Sequence, residues 1–524
     1  MTAKTRYDYL SGERTQFLDE AEKAAELTLP YLIIQDQYTK GMRHLPTPWQ
    51  SVGAKCAVTL AAKLMQSMLP VQTSFFKLQV DESQLGQEFG PQVKSELDLS
   101  FAKIERTILD AIAASNDRVV VHEALLHLVV AGNALIFMGK DGLKVYPLNR
   151  YVVERDGDGN VIEIITKETI AKKLIEDQLP EDVLKQYDTV VDSSPDNNDE
   201  CDIYTHIKRD NNRYVWHQEV HNKILPKSYG KAPVDITPWI PLRFNTVDGE
   251  DYGRGRVGQF IGDLKSLEAL SQALVEGSAA AAKVVFTVSP SSTTKPSTLA
   301  NAGNGAIVQG RPDDIGVVQV GKTADFKTAY EMMLQLERRL NDAFLVMQVR
   351  DSERTTAEEV RLTQMELDAQ LAGLFSLLTT EFLLPYLNRI LSQFQKTGKI
   401  PRLPKDIVKP TIVAGVNALG RGQDRESLGQ FLTVISQTMG PEAVQKFINP
   451  EEVIKRLAAA QGIDVLNLVK SMEEIQGKEE EAKQMALQQQ QTENQTAMMK
   501  TPMMDPSKNP AIAGQQPEKP PEQV

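Results

Sequence analysis

The sequence contains very little cysteine. Cys56 and Cys201 are the only two in 524 residues, which is too few, and too widely spaced, for a disulfide framework or a cysteine-based zinc cluster. The first twenty residues are charged and contain no apolar core of the kind that a secretory signal needs. These two absences predict a protein that folds in the reducing cytosol and is not secreted.

Long apolar runs and an excess of positive charge are also missing. The longest apolar run, residues 124–138, is interrupted by His127, Gly132 and Asn133 and is too short to cross a bilayer, so we expect no contact with a membrane. The net charge of −12 argues against a conventional DNA-binding surface, where clustered Lys and Arg release counterions from phosphate. Any contact with nucleic acid must therefore be local or weak.

No motif of a known catalytic type stands out. The chain has no GxSxG, no Walker A sequence and no carboxylates clustered for general acid and base catalysis. Gly253, Gly255 and Gly258 match GxGxxG, but no second strand ending in an acidic residue follows at the expected distance. We interpret these glycines as a flexible entry to a helix, and a nucleotide-binding enzyme built around them is the weakest alternative.

Histidine is scarce as well, with six in the chain. His122 and His127 of HEALLH are five residues apart, which separates them by about 140° around a helix, so they cannot share a metal as the HExxH motif does. The sequence suggests no third ligand. We therefore predict no metal site, no cofactor and no catalytic activity.

What the sequence does contain is enough apolar material for a sizeable core. With 41% hydrophobic residues, the chain is expected to form several sub-domains of an α+β, mainly helical fold. Residues 1–140 are predicted to be mainly helical, with an amphipathic helix over 49–68 that stops at Pro70. A region rich in β-branched and aromatic residues follows, and it predicts an antiparallel sheet with a hairpin turn at DGDGN, residues 156–160. Its predicted strands cover residues 144–151, 161–166, 202–208, 213–219 and 239–247.

Two long helices with a short excursion between them come next. Apolar residues at helical spacing predict one helix over residues 256–285, roughly 45 Å long, and a second that ends near Met347. Residues 286–321 between them are rich in Ser, Thr, Pro and Gly, with brief β-like runs. This pattern predicts a helical hairpin with a compact head.

A polar loop, QVRDSERTT at residues 348–356, follows the hairpin. The next helix starts with Thr356 and Glu359, the spacing of a capping box, and is predicted to run to residue 395 with breaks near Gly373 and Pro385. Short helices are expected beyond residue 403. The Gln-, Met- and Pro-rich chain after Gly477 is expected to be disordered.

The sequence resembles the portal proteins, or head-to-tail connectors, of short-tailed bacteriophages of the autographivirus kind. The resemblance covers roughly residues 5–430, and its segments occur in the order found in that family. They are residues 47–78, 122–137 (HEALLHLVVAGNALIF), 248–277, 310–315 (GRPDDI), 354–385 and 418–424 (ALGRGQD). Nothing after Gly477 matches.

The resemblance implies a ring, typically of twelve subunits, at one vertex of the viral capsid, with double-stranded DNA passing through its central channel during packaging and ejection. It also implies a division of each subunit along the chain. The implied parts are a wing (1–250), a descending stem helix (251–285), a clip (286–321), an ascending stem helix (322–347), a tunnel loop (348–355), the long wing helix and its return (356–416), a crown (417–477) and a disordered tail (478–524).

The same resemblance implies the partners. The terminase motor, and then a tail adaptor protein, are expected to dock on the ring, which contacts the major capsid and scaffolding proteins. Internal core proteins are expected at the crown. The ring is expected to assemble in the host cytoplasm and to remain in the virion, with ATP hydrolysis left to the terminase. Another oligomeric virion component, a tail adaptor or an internal ejection protein, is the alternative function.

Isolated cations are the candidate DNA contacts, because a ring repeats a single Arg as a belt of charge. We predict Arg350 and Arg354 of the tunnel loop as DNA-facing. Weaker stem candidates are Lys327, Arg338 and Arg339. An otherwise acidic subunit is suited to a DNA channel. Each phosphate that the protein neutralises increases its affinity for DNA, and this binding has to be overcome when the DNA moves.

The alternative for these cations is an ion pair with Asp351, Glu353 or Glu337, or with a neighbouring subunit. The apolar stripes of the two stem helices are expected to pack against neighbouring subunits rather than to contact DNA.

Overall fold

The computed structural model of the chain describes residues 2–34, 45–70, 74–80, 91–139, 142–171, 200–282, 285–303, 305–311, 313, 315–318, 323–346, 373–402, 408–412, 429, 431–438, 440 and 453. The chain divides into two compact units, Met1–Leu419 and Gly420–Val524. Among these described residues, no helix is both long enough and apolar enough to span a membrane.

The described part of residues 1–131 is mainly helical, as predicted. Its elements are α1 (Ala3–Glu26), α2 (Val52–Met68), strand β1 (Phe76–Val80), α3 (Pro91–Ala114) and α4 (Asp117–Ala131). The predicted helix over 49–68 starts at Val52, because the side-chain oxygen of Gln50 accepts a hydrogen bond from the Gly53 backbone N–H at 2.8 Å. Helix α4 is capped by Gly132, which has a positive φ of 77° that glycine adopts readily.

The sequence predicts one sheet of five strands, whereas the described residues between 133 and 243 form two sheets of nine strands, three of which were not predicted. The nine strands are β2 (Asn133–Met138), β3 (Leu143–Tyr146), β4 (Tyr151–Arg155), β5 (Val161–Ala171), β6 (Glu200–Asp210), β7 (Arg213–Val220), β8 (Lys223–Ile224), β9 (Gly230–Pro233) and β10 (Trp239–Arg243). One sheet has the order β10-β2-β3, and the other the order β4-β5-β6-β7-β8 with β9 paired to β7. All these pairings are antiparallel, as predicted.

Two predicted strands therefore need correction. The strand expected over residues 144–151 is interrupted by a 3₁₀ turn at Leu148–Arg150 that follows Pro147, so its two halves belong to different sheets. Proline has no N–H to give to a strand ladder and favours a change of direction. The strand expected over 239–247 ends at Arg243 and pairs with β2.

The hairpin turn predicted at residues 156–160 is confirmed between β4 and β5. The Asp156 carboxylate accepts hydrogen bonds from the backbone N–H groups of Asp158 and Asn160, at 3.1 and 2.7 Å. Gly159 adopts a φ of 82°, a conformation that costs glycine little.

The predicted helical hairpin is present, with different boundaries. Its elements are α5 (Arg256–Gln259), α6 (Ile261–Ala282), β11 (Val285–Val288), α7 (Pro296–Ala300), β12 (Ile315–Val318) and α8 (Thr323–Ala343). The single helix predicted over 256–285 is wrong in two places: it breaks at Phe260, and Val285 already belongs to a strand. β11 and β12 pair antiparallel and close the far end of the hairpin.

The helix predicted after the polar loop, over residues 356–395, lies partly outside the described residues, which resume at Gly373. Residues 373–378 are helical, a π-helical segment follows at Thr379–Leu383, and α9 (Leu384–Lys396) continues from it. The break predicted near Pro385 is wrong. The wide π turn just before Pro385 lets the helix continue, because it relieves the clash between the proline ring and the preceding turn. Strand β13 (Val408–Ile412) then pairs with β1.

One large buried cluster joins the helices, the three-stranded sheet and the root of the hairpin. We call the start of α6 and the end of α8, which lie side by side, the root. Its members include Leu60 of α2, Leu128 of α4, Ile136 of β2, Leu264 of α6 and Leu340 of α8, each at most 1% exposed. Burial of such aliphatic side chains is the main favourable term in folding. The root of the hairpin is therefore part of the core.

Several predictions fall outside the described residues. The polar loop and the proposed tail at 478–524 lie there entirely, as does most of the predicted crown at 417–477. In the second unit, residues 431–438 form a helix.

Candidate functional site on the helical hairpin

Helices α6 and α8 pack directly against each other. A Cβ atom placed on Gly277 would lie 2.6 Å from a ring carbon of Phe326, and the Ser271 hydroxyl lies 3.8 Å from the Met333 sulfur. Leu264 and Leu267 are fully buried within the same chain. The expectation that this stripe packs between subunits is therefore wrong at the root of α6, where its residues belong to the subunit's own core.

Polar contacts clamp the root of the hairpin to the rest of the first unit. The Glu268 carboxylate of α6 accepts hydrogen bonds from the backbone N–H groups of Trp49 and Gln50, at 2.8 and 3.4 Å. The Arg256 guanidinium donates to the Ala343 carbonyl at 2.9 Å, and the Lys63 ammonium donates to the Leu345 carbonyl. Burial lowers the pKa of both cations. These contacts fix the two ends of the hairpin relative to α2.

Leu345 sets the direction of the chain as it leaves α8. Its φ is 58°, which a residue with a side chain adopts at a cost of about 1 kcal/mol or more. The Lys63 contact and the burial of neighbouring Phe344 and Val346 hold this conformation. The chain is therefore held in place as far as Val346, the last described residue before the polar loop.

Lys327 and Arg338 of α8 share one exposed face. They are eleven residues apart, which places them within about 20° of each other around the helix and about 16 Å apart along it. Both are exposed, and neither forms an ion pair within the described part of the chain. Glu331 and Asp342 are exposed near the same face, so cations and carboxylates alternate along it.

Arg339 has a partner that the sequence did not suggest. Its guanidinium forms an ion pair with the Asp263 carboxylate of α6. The side chain remains 65% exposed, so the pair contributes little to stability. Among the stem candidates, Arg339 thus fits the ion-pair alternative, although with a different partner from those expected. Arg350 and Arg354 lie outside the described residues.

The glycine motif is explained by close backbone packing. A Cβ atom on Gly253 would lie 2.8 Å from the Gly132 carbonyl oxygen, and one on Gly255 would lie 2.6 Å from the Val130 carbonyl oxygen. The Asn133 side chain bonds the Gly253 backbone twice, at 2.7 Å in each case. The interpretation as a flexible entry is therefore wrong for Gly253 and Gly255, which are fixed against the end of α4, whereas a Cβ atom on Gly258 would meet nothing within 4 Å. The need for close approach accounts for Gly253 and Gly255 without a bound phosphate.

His127 is a core residue. It is 3% exposed, and burial lowers its pKa to about 4, so it is neutral at physiological pH. His122 lies on the same helix and is half-buried. The structure thus gives each of them an ordinary place on α4.

The sequence analysis missed one group of potential metal ligands. His206, His217 and Glu219 are brought together by strands β6 and β7, with one potential ligand atom of each within 4.8 Å of the others. The sequence contained a weak signal, since His217 and Glu219 alternate along one strand face. Their pairing with His206 depends on the strand register.

These features define an α+β protein that presents a helical hairpin, anchored at its root and exposed along its far half. The model of the bacteriophage head to tail connecting protein family matches residues 1–467. The chain therefore belongs to this family, and its function is that of a portal protein in the phage head-to-tail connector.

The relatives agree with this placement over nearly their whole length. The portal protein of Escherichia phage T7 is 36% identical over 487 residues, which are 91% of this chain and 89% of the relative. The portal protein of Enterobacteria phage T3 is 37% identical, with 90% and 89% covered. Among solved structures, a chain from the neck of an empty gene transfer agent particle matches with 12% identity and a TM-score of 0.37, covering 78% of this chain and 89% of that one.

Proposed function

We propose that the chain assembles into a closed ring, typically of twelve subunits, at one vertex of the capsid, and that double-stranded DNA passes through the central channel. The anchored hairpin is the observation that carries this proposal. In a cyclic assembly each subunit uses two different surfaces, one for each neighbour. A hairpin fixed in the core offers two such flanks.

The exposed apolar side chains of the hairpin support this assembly. Val275 of α6 is 53% exposed, and Tyr330 and Met332 of α8 are 51% and 52% exposed. Tyr330 and Met332 are two residues apart, about 160° from each other around the helix, so they lie on opposite flanks of α8. In the proposed ring, each flank of α8 would meet a different neighbouring subunit, and these apolar side chains would be covered there.

Within this assembly α6 would be the descending stem, residues 286–321 the clip, α8 the ascending stem, and residues 348–355 the tunnel loop. The wing would comprise residues 1–250 and 356–416, and the crown residues 417–477.

The clip would meet the terminase motor and later the tail adaptor, and the crown would meet internal core proteins. Capsid and scaffolding proteins would surround the wing. The ring would have no catalytic activity, and it would assemble in the host cytoplasm before incorporation into the virion.

The face of α8 with Lys327 and Arg338 is the proposed DNA-facing surface of the stem. A ring would repeat each cation as a belt, and the two belts would lie about 16 Å apart along the helix. The alternating carboxylates, Glu331 and Asp342, reduce the net attraction. Such a surface centres a polyanion without holding it tightly, because few phosphates are neutralised at once.

Electron microscopy of the purified protein, with particle mass measured in parallel, tests the assembly directly. Closed rings with an open axial channel as wide as a DNA duplex, and a mass near twelve subunits, are the expected result. Monomers, or solid particles without a channel, would contradict the ring and direct attention to other connector roles.

The stem cations give a prediction about salt. Replacing both Lys327 and Arg338 with Gln is expected to leave ring mass unchanged and to weaken the binding of duplex DNA by the rings. The dependence of log K on log salt should become shallower by about 0.9 for each phosphate that the variant no longer neutralises. The matched control is Lys327→Arg with Arg338→Lys, which keeps the charges and should keep the slope. An unchanged slope in the Gln variant would remove this face from the channel.

The loop arginines give a second prediction. Replacing Arg350 and Arg354 with Ala is expected to leave assembly intact but to reduce DNA packaging or to let packaged DNA leak, because the innermost belt of charge is removed. The measurement is the amount of DNA protected from nuclease in particles carrying the variant portal. Normal packaging and retention would exclude the loop from the mechanism.

A further inference from the structure

The six-stranded sheet of the first unit carries a cluster of metal-ligating side chains. His206 of β6 and His217 of β7 are direct cross-strand partners, and their rings lie 5.3 Å apart between centroids. Glu219 lies two residues beyond His217, so it shares the same face of the sheet. One potential ligand atom from each of the three lies within 4.8 Å of the other two.

We propose that His206, His217 and Glu219 bind a divalent transition-metal ion of the zinc class. Two imidazoles and one carboxylate form a donor set that zinc uses in proteins, with the fourth position left to water. This inference is independent of the portal role, because it concerns the sheet and not the hairpin.

The distances fit such a site after a small adjustment. The Nε2 atom of His217 lies 3.0 Å from the Oε1 atom of Glu219. Zinc bonds of about 2.0–2.2 Å in a tetrahedral arrangement place neighbouring ligand atoms about 3.3 Å apart. The His217 and Glu219 pair already has nearly this separation. The ligand atoms of the cluster lie up to 4.8 Å apart. A pair at that limit would have to move about 1.5 Å closer, and rotation of an imidazole and a carboxylate can supply this movement.

The surroundings hold the proposed ligands in place. The Nε2 atom of His206 is hydrogen-bonded to the Oε1 atom of Glu163, a carboxylate that is 2% exposed. The guanidinium of Arg6 donates to the other oxygen of Glu163 at 2.8 Å. For Glu163 to orient His206 as outer carboxylates do in zinc sites, the ion has to bind the Nδ1 atom of His206, since Nε2 is held by Glu163. The second oxygen of Glu219, Oε2, accepts a hydrogen bond from the Ala3 backbone N–H at 2.7 Å.

The local charge favours a cation. Metal binding requires neutral imidazoles, so in the bound state the Glu163 and Glu219 carboxylates face the Arg6 guanidinium, which is shared with Glu154. Since charge is costly to bury without a partner, a divalent ion would relieve the remaining imbalance. The His206 and His217 side chains are 11% and 22% exposed, which leaves a route for the ion from solvent.

A metal bound to these residues would affect how firmly helix α1 is held against the sheet. Ala3 donates to Glu219, and Arg6 donates to Glu163, so the first turn of α1 is bonded to the carboxylate ligand and to the outer carboxylate beside it. Ala3, Tyr7 and Leu10 also pack on Val152, Ile165 and Tyr204 of the sheet. The proposed ion would lock the two strands and the first turn of α1 into one arrangement. Its role is therefore structural.

The test uses the full-length, untagged protein, stripped with a chelator and then dialysed against Zn²⁺. Metal content per subunit is measured by elemental analysis, and affinity by calorimetric titration. We expect one zinc per subunit in the wild type. The paired variant His206→Gln with His217→Gln, and the variant Glu219→Gln, should each lose at least about tenfold in affinity. Glu163→Gln should weaken binding by about 10- to 100-fold, as outer-shell changes do.

The matched control is His122→Gln, a half-buried histidine on α4, which should keep the wild-type stoichiometry. Circular dichroism shows whether each variant is folded. The visible spectrum of bound Co²⁺ gives a second readout that a change in stability alone would not alter. Absence of stoichiometric zinc in the wild type, or equal affinity in the wild type and the Gln variants, would overturn the proposal and leave the four side chains as metal-free hydrogen-bonded pairs.

Discussion

Replacement of Met332 by Asp is expected to leave the subunit folded and to prevent ring closure. Met332 is 52% exposed, so the change costs the isolated subunit little. Within a subunit interface, the same carboxylate would be buried without a partner at a cost of several kcal/mol. A closed ring repeats this cost at every interface. Particle mass should shift from rings to monomers or short arcs.

Tyr330→Asp should act in the same way from the opposite flank of α8, since each flank meets a different neighbour. The controls are Met332→Leu and Tyr330→Phe, which keep the apolar surface and should still form rings. Rings of normal mass in both Asp variants would show that these flanks of α8 do not lie in subunit interfaces.

Replacement of Glu381 by Ala is expected to destabilise the first unit by about 3–5 kcal/mol, because it removes one partner of a buried ion pair. Glu381 accepts three hydrogen bonds from Arg243, from the backbone N–H, Nε and Nη2, at 3.0, 3.0 and 2.7 Å. Both side chains are less than 15% exposed. The π-helical segment is what places Glu381 against the end of β10.

Arg155 makes this destabilisation larger. It is close to Arg243, and its pKa is lowered by burial and by the Arg243 charge, while Glu381 opposes that shift. Without Glu381, the two guanidiniums would face each other with less compensation. Urea denaturation followed by tryptophan fluorescence measures the effect, since Trp239 lies on β10 itself.

The control for this second prediction is Glu331→Ala. Glu331 is exposed, and a surface change of this kind is expected to stay within about 0.5 kcal/mol. Glu381→Gln should fall between the two, because it keeps hydrogen bonding but loses the charge. Equal urea midpoints for Glu381→Ala and the wild type would mean that the Arg243 pair contributes nothing to stability.

Local patterns in the sequence determined the secondary structure of the hairpin and its neighbours. Apolar spacing predicted α6 and α8, and the DGDGN sequence predicted the turn between β4 and β5. Such features depend on residues within a few positions of each other, which is why they can be read without the fold. The long resemblance to portal proteins, carried by the sequence alone, also agrees with the family to which the chain belongs.

The sequence misjudged the places where distant segments meet. It assigned β3 and β10 to the larger sheet, because strand patterns do not specify which strands pair. It interpreted Gly253 and Gly255 as flexible, whereas their lack of a Cβ atom allows close approach to the end of α4, more than a hundred residues earlier in the chain.

For the charged and metal-ligating groups too, the sequence showed which residues are present, and the fold decided which of them meet. That Arg339 and the His206 and His217 side chains are present was visible in the sequence. The pairing of Arg339 with Asp263, and the meeting of His206, His217 and Glu219 on one sheet face, were decided by the tertiary structure. The physical reason is that electrostatic and coordination contacts depend on separations of a few ångströms in space, and the packing of helices and the register of strands set those separations.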